Sequence, residues 1–87
     1  MAEVLVTIKI MPSDADVDMD VLASRMGKVD GGRLNNVQKE PIAFGLVALV
    51  ASYVVEDQEG GTENLENSLK EIDGIGNVDV TGVTRLL

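Results

Sequence analysis

The stretch Leu46-Val47-Ala48-Leu49-Val50-Ala51-Ser52-Tyr53-Val54-Val55 is the longest apolar run in the chain and constrains the fold more than any other. A membrane-spanning helix needs roughly 20 apolar residues, so this run is too short to cross a bilayer that way. Apolar on both faces near its middle, it reads as a well-packed strand from Leu46 to Glu56 at the centre of a sheet. Just ahead of it, Glu40-Pro41-Ile42-Ala43-Phe44-Gly45 sets the only phenylalanine of the protein between two small residues and after a rigid proline. The pattern predicts a turn, with Gly45 changing the chain direction and Phe44 presented at the entrance of the strand.

The remaining elements follow from periodicity. Glu3 to Met11 reads as a strand, with Val4, Val6, Ile8 and Ile10 on one face, Thr7 and Lys9 on the other, and Pro12 and Ser13 ending it. A helix follows, with Asp16 as its cap and Asp18 and Asp20 in its first turn. Met19, Leu22, Ala23 and Met26 form its apolar face, and Gly27 and Asp30-Gly31-Gly32 stop it. Arg33 to Ile42 is a weaker strand, with Leu34 and Val37 apolar, a bulge at Asn35-Asn36, and Pro41 at an end or edge because it has no N–H to donate. Asp57 to Gly61 is a turn. Thr62 is the expected cap of a second helix, whose apolar face is Leu65, Leu69 and Ile72, ended by Gly74 and Gly76. Asn77 to Leu87 closes the chain as a strand, with Val78 and Val80 on one face and a bulge at Gly82 that turns Val83 inward. The order, strand-helix-strand-strand-helix-strand, is that of the split βαβ or ferredoxin-like α+β arrangement: a four-stranded antiparallel sheet with two helices on one face. The expected helix-free face carries Thr7, Lys9, Ala51 and Tyr53.

At 87 residues the chain is expected to be a single domain with a small core. It has neither cysteine nor histidine, which removes disulfides, thiolate metal sites and the commonest acid/base group near neutral pH. Nothing in Met1-Ala2-Glu3 resembles a signal peptide, and a cytoplasmic location is expected. The net charge of −8 repels a nucleic-acid backbone. Two readings of that charge stand side by side: steering toward a basic protein partner, and solubility in a high-salt cytoplasm.

Most chemistry tested against the residues fails. Asp14-x-Asp16-x-Asp18 begins like a calcium loop, but Met19 and Arg25 stand where the loop needs glycine and a bidentate glutamate. Gly74-x-Gly76-x-x-Asp79 lacks the third glycine of a dinucleotide fingerprint, and there is no phosphate-binding GxxxxGK[ST] element. Aromatics are too few for an RNA-recognition sheet, and no nucleophile–base pair is present. What remains is a surface. Phe44 is either a partner anchor or the end of a small core; Arg85 is either a partner contact or half of a surface ion pair of little energetic weight.

Pro41-Ile42-Ala43-Phe44-Gly45-Leu46, the strand end Val54-Val55-Glu56-Asp57, Gly60-Gly61-Thr62 and the tail Val80-Thr81-Gly82-Val83-Thr84-Arg85-Leu86 together resemble the translation elongation factor 1-beta family, in its short archaeal form. The resemblance spans essentially the whole chain. It implies a ferredoxin-like guanine-nucleotide exchange factor with no covalent chemistry and no cofactor. The implied partner is the GTPase elongation factor 1-alpha, and the factor is expected to be a monomer when free. Phe44, with Pro41, Ile42 and Gly45 around it, is implied to enter a pocket near the partner's switch region. Arg85, with Leu86 beside it, is implied to approach the partner's magnesium and phosphate site; eukaryotic members have lysine at the position of Arg85, and the two cations are not interchangeable. Competing readings are a small-molecule-binding regulatory module of the same fold and, less supported, an enzyme.

Overall fold

Alternation in the first strand decides the architecture. Val4, Val6, Ile8 and Ile10 of β1 (Glu3–Pro12) are buried while the residues between them are not, so one face of the strand is core and the other is open. The computed structural model describes residues 3–14, 16–27, 29, 31–42, 45–56 and 61–86. Along them run β1, α1 (Met19–Met26), β2 (Arg33–Pro41), β3 (Val47–Glu56), α2 (Gly61–Lys70) and β4 (Ile75–Arg85). The strands form one antiparallel sheet in the order β2-β3-β1-β4, so β1 and β3 are interior and β2 and β4 are edges. Leu22 and Met26 of α1 and Leu65 and Leu69 of α2 join the inward residues of β1 and β3 in one core, which puts both helices on the same face. This is the ferredoxin-like α+β arrangement that the order of elements predicts.

Several local features agree with expectation. The β2–β3 register slips between Leu34 and Asn36, leaving Asn35 as the extra residue of a bulge. Pro41 is the last residue of an edge strand, where its missing N–H leaves no ladder bond unmade. Other features do not. The cap of α1 is Asp18, whose Oδ1 accepts the N–H groups of Asp20 at 3.0 Å and Val21 at 3.4 Å. Asp16 is held outside the helix, because its own N–H donates to Asp14 Oδ1 at 2.8 Å and closes a separate turn. Thr62 lies inside α2 rather than at its cap, since the helix already includes Gly61. Of the expected turn at 57–61, positions 57–60 lie outside the described residues, as does Leu87.

The largest correction concerns β3. Ala51 and Tyr53 stand opposite Ile8 and Val6, and all four are fully buried on the helix side. The open face carries instead Thr7 and Lys9 with their partners Ser52 and Val50. Tyr53 donates its hydroxyl hydrogen to the carbonyl of Met26 at 2.8 Å, satisfying an acceptor at the C-terminus of α1 that has no partner within the helix. Burial pushes the Tyr53 phenol well above its ordinary value, because the phenolate is poorly solvated there. This contribution to stability is whole below the unfolded tyrosine pKa near 10 and is lost as pH rises beyond it. Tyr53→Phe is expected to cost about 1–2 kcal/mol at neutral pH, by stranding the Met26 carbonyl, and to make the alkaline fall in stability shallower. Thermal unfolding of both proteins across that pH range checks it. Tyrosinate absorbance gives an independent readout, since Tyr53 is the only tyrosine.

Candidate functional site

The residues singled out by sequence fall into two groups. The first is the β2–β3 turn. The Ile42 N–H donates to the Leu46 carbonyl at 2.9 Å and closes the turn. Gly45 has φ +78°, a left-handed conformation that favours glycine, and a side-chain carbon there would meet nothing within 4 Å. Pro41, Ile42 and Gly45 are all exposed, with Ile42 at 41%. Phe44 and Ala43 lie outside the described residues. Below the turn a small pocket of about 70 Å³ is lined chiefly by Pro12, Val17, Met19, Leu46 and Val47, with Asp14 at its side.

The second group is the end of β4. Arg85 stands opposite Val4, and the Leu86 N–H donates to the Glu3 carbonyl at 3.0 Å, extending the β1–β4 ladder beyond the strand. Arg85 is exposed, and Leu86 is 43% exposed. The backbone of this segment is held firmly by the ladder while its side chains stand exposed.

The register sets the two groups apart. The β2–β3 turn lies beyond the Ile10–Leu49 pair, and Arg85 stands at the level of Val4, near the other end of β1. At about 3.4 Å per residue, the six-residue step from Val4 to Ile10 alone is roughly 20 Å. The molecule is 41 Å long, and the two groups occupy its opposite ends rather than one cleft.

Acidic residues concentrate at the turn end. Asp14, Asp16 and Asp18 are exposed on the β1–α1 connection, and Asp20 pairs with Lys39 of β2 at 2.8 Å. That pair is open to water on both sides and contributes little to stability. Asp20 holds the Lys39 ammonium above its ordinary pKa, first through the hydrogen bond and then through its charge. Among the described residues no group of three or more carboxylates forms a set that could hold a metal ion. No described helix is long and apolar enough to cross a membrane.

The bulge expected at Gly82 falls one residue earlier, and Val83 turns inward as expected. The β1–β4 register shifts between Thr7 and Ile8, with Thr81 as the extra residue beside Gly82, and the shift does turn Val83 to the helix side, opposite Val6. Val83 is nonetheless 56% exposed. Alternation gives the direction of a side chain; only the extent of the helices decides whether anything covers it.

The fold defines a ferredoxin-like α+β protein in which the described residues singled out by sequence lie exposed at the two ends of the sheet. The chain belongs to the EF-1 guanine nucleotide exchange domain family, whose model matches residues 5–86. It is 47% identical to "Elongation factor 1-beta" of Methanothermobacter thermautotrophicus over 89 aligned positions that cover all of both chains. It is 40% identical to the protein of that name from Halorubrum lacusprofundi, covering 99% of this chain and all of the relative. With that of Staphylothermus marinus it shares 39% identity over 99% of each. Membership carries with it a nucleotide-exchange role in translation elongation.

Proposed function

We propose that the whole chain acts as one exchange unit that accelerates replacement of GDP by GTP on elongation factor 1-alpha, in the cytoplasm and as a monomer when free. The observation that carries this is the family match across residues 5–86. Exchange breaks no covalent bond, in keeping with a chain that has no histidine or cysteine. A factor that binds the nucleotide-free GTPase more tightly than the nucleotide-bound form weakens nucleotide binding by the same ratio, because the two equilibria are linked. The factor leaves the GDP–GTP equilibrium unchanged and speeds the approach to it.

In this reading Phe44 supplies apolar contact available only in the nucleotide-released state, so the two states are bound differently. Arg85 places a guanidinium near the site that the partner's magnesium and phosphates vacate. The two groups lie at opposite ends of the sheet, so the partner contacts the molecule at two separated places. The test is release of a fluorescent GDP analogue from elongation factor 1-alpha under excess GTP. Acceleration at substoichiometric protein is the expected result, and its absence where both proteins are folded sinks the reading. Arg85→Ala is expected to slow the maximal exchange rate about tenfold or more, the loss typical of one desolvated charge contact, with the melting temperature almost unchanged. An unaltered rate would remove Arg85 from the site.

A further inference from the structure

Val83 is the most exposed large apolar side chain among the described residues, at 56%. Its direction is set by the Thr81 bulge. Without the extra residue, the alternation that points Val78 and Val80 at the core would continue through Gly82 and Thr84, and Val83 would face the open side of the sheet. The bulge is anchored: the Thr81 hydroxyl donates to the Thr7 carbonyl at 3.3 Å. Val78 and Val80, on the same face, are partly buried against the core; Val83 is 56% exposed, although Val6 directly opposite it is fully buried.

The same shift sends Arg85 to that face, opposite Val4. Val83 and Arg85 therefore stand two residues apart on one side of an edge strand, roughly 7 Å along it. An isolated exposed valine needs no explanation. A valine aimed by a bulge, left uncovered, and set beside a proposed partner-contacting cation is a different case, because bulges recur where a strand re-aims side chains for a site. A second copy of the chain is a poor occupant, since each carries a net charge of −8.

We propose that Val83 is a further contact residue of the exchange surface, covered in the complex by an apolar part of elongation factor 1-alpha adjoining the anionic site that Arg85 approaches. The proposal rests on the exchange reading above and extends it to a residue with no charge to contribute. Val83 adds affinity, whereas Arg85 acts on the released state, so the two separate kinetically.

Exchange rates measured against factor concentration test this with Val83→Thr, which keeps shape and strand preference, and with Val83→Ala. Both are expected to raise the half-maximal concentration about three- to tenfold, the effect of leaving part of one valine uncovered. The maximal rate and melting temperature stay unchanged. Val83→Ile restores wild-type behaviour. Unchanged half-maximal concentrations alongside an impaired Arg85→Ala overturn the proposal while the exchange reading stands. A rise that tracks a lower melting temperature also overturns it, by making Val83 structural, as does a concentration-dependent dimer of the wild type that Val83→Thr dissolves. If the wild type itself gives no acceleration, the exchange reading fails and the proposal with it.

Discussion

Phe44→Ala is expected to slow nucleotide exchange by a factor of thirty or more, on the order of the 2 kcal/mol that truncating an aromatic anchor costs, while the melting transition stays within a degree or two. Among the described residues, valine, isoleucine, leucine and methionine side chains from β1, β3 and both helices pack around Tyr53 in the buried cluster. The turn that carries Phe44 is closed by the Ile42–Leu46 bond and shaped by Gly45, and neither depends on an aromatic side chain. Its neighbours Ile42 and Gly45 are exposed. Exchange assays and thermal unfolding on the same preparations check the prediction. A large fall in melting temperature with proportionate loss of exchange would make Phe44 a core residue after all and leave the partner contact at that end without its anchor.

The outline of this fold was legible because its signals are local. Alternating valine and isoleucine in β1, spaced leucines in the helices, and glycine or proline between elements act through sterics over a few residues. The errors arose where local signals compete or where a distant element decides. Asp14, Asp16 and Asp18 are equally good caps by composition; the Asp14–Asp16 turn removes one candidate, and only the backbone shows it. In β3 both faces are apolar, so the inward set was ambiguous. Ser52 was the usable sign, being the one polar residue among Ala51, Tyr53 and their neighbours, and it faces the open side opposite Thr7. For Val83 the bulge and the inward turn were foreseeable beside Gly82, but the 56% exposure was not, because alternation gives a side chain's direction and not its cover. The candidate site was legible only as residues. Periodicity gave no sign that Pro41, Ile42 and Gly45 would lie at the opposite end of the sheet from Arg85 and Leu86; that separation follows from the antiparallel register, which pairs β1 with both β3 and β4.

The glycines offer the second large effect, because three of them share a left-handed backbone but not the same surroundings. Gly31 has φ +94°, Gly45 +78° and Gly74 +103°. Alanine at any of them costs about 1–2 kcal/mol in backbone strain. At Gly45 that is all, since a Cβ there meets nothing within 4 Å. At Gly74 the nearest atoms are the Val17 and Leu22 side chains at 3.4 and 3.5 Å, an ordinary contact. At Gly31 the Cβ falls 3.0 Å from the backbone nitrogen of Leu65 and 3.1 Å from its Cα. Those atoms belong to α2, which cannot yield without shifting the helix that buries Leu65 and Leu69. Overpacking of that kind adds about 1–3 kcal/mol, so Gly31→Ala should cost about 2–5 kcal/mol in total, against about 1–2 for Gly45→Ala. For a domain of this size each kcal/mol lowers the melting temperature by about 4–8 °C, so the two variants separate clearly in a thermal melt at fixed salt. Function separates them in the opposite sense. Gly45→Ala alters the turn that carries Phe44 and is expected to slow exchange at a temperature where it is fully folded, whereas folded Gly31→Ala keeps both exposed ends and exchanges normally. Equal melting temperatures would mean that α2 does not seat on the backbone of Gly31. Normal exchange by Gly45→Ala would mean that the turn tolerates a changed backbone, and that Phe44 is positioned by something other than its glycine neighbour.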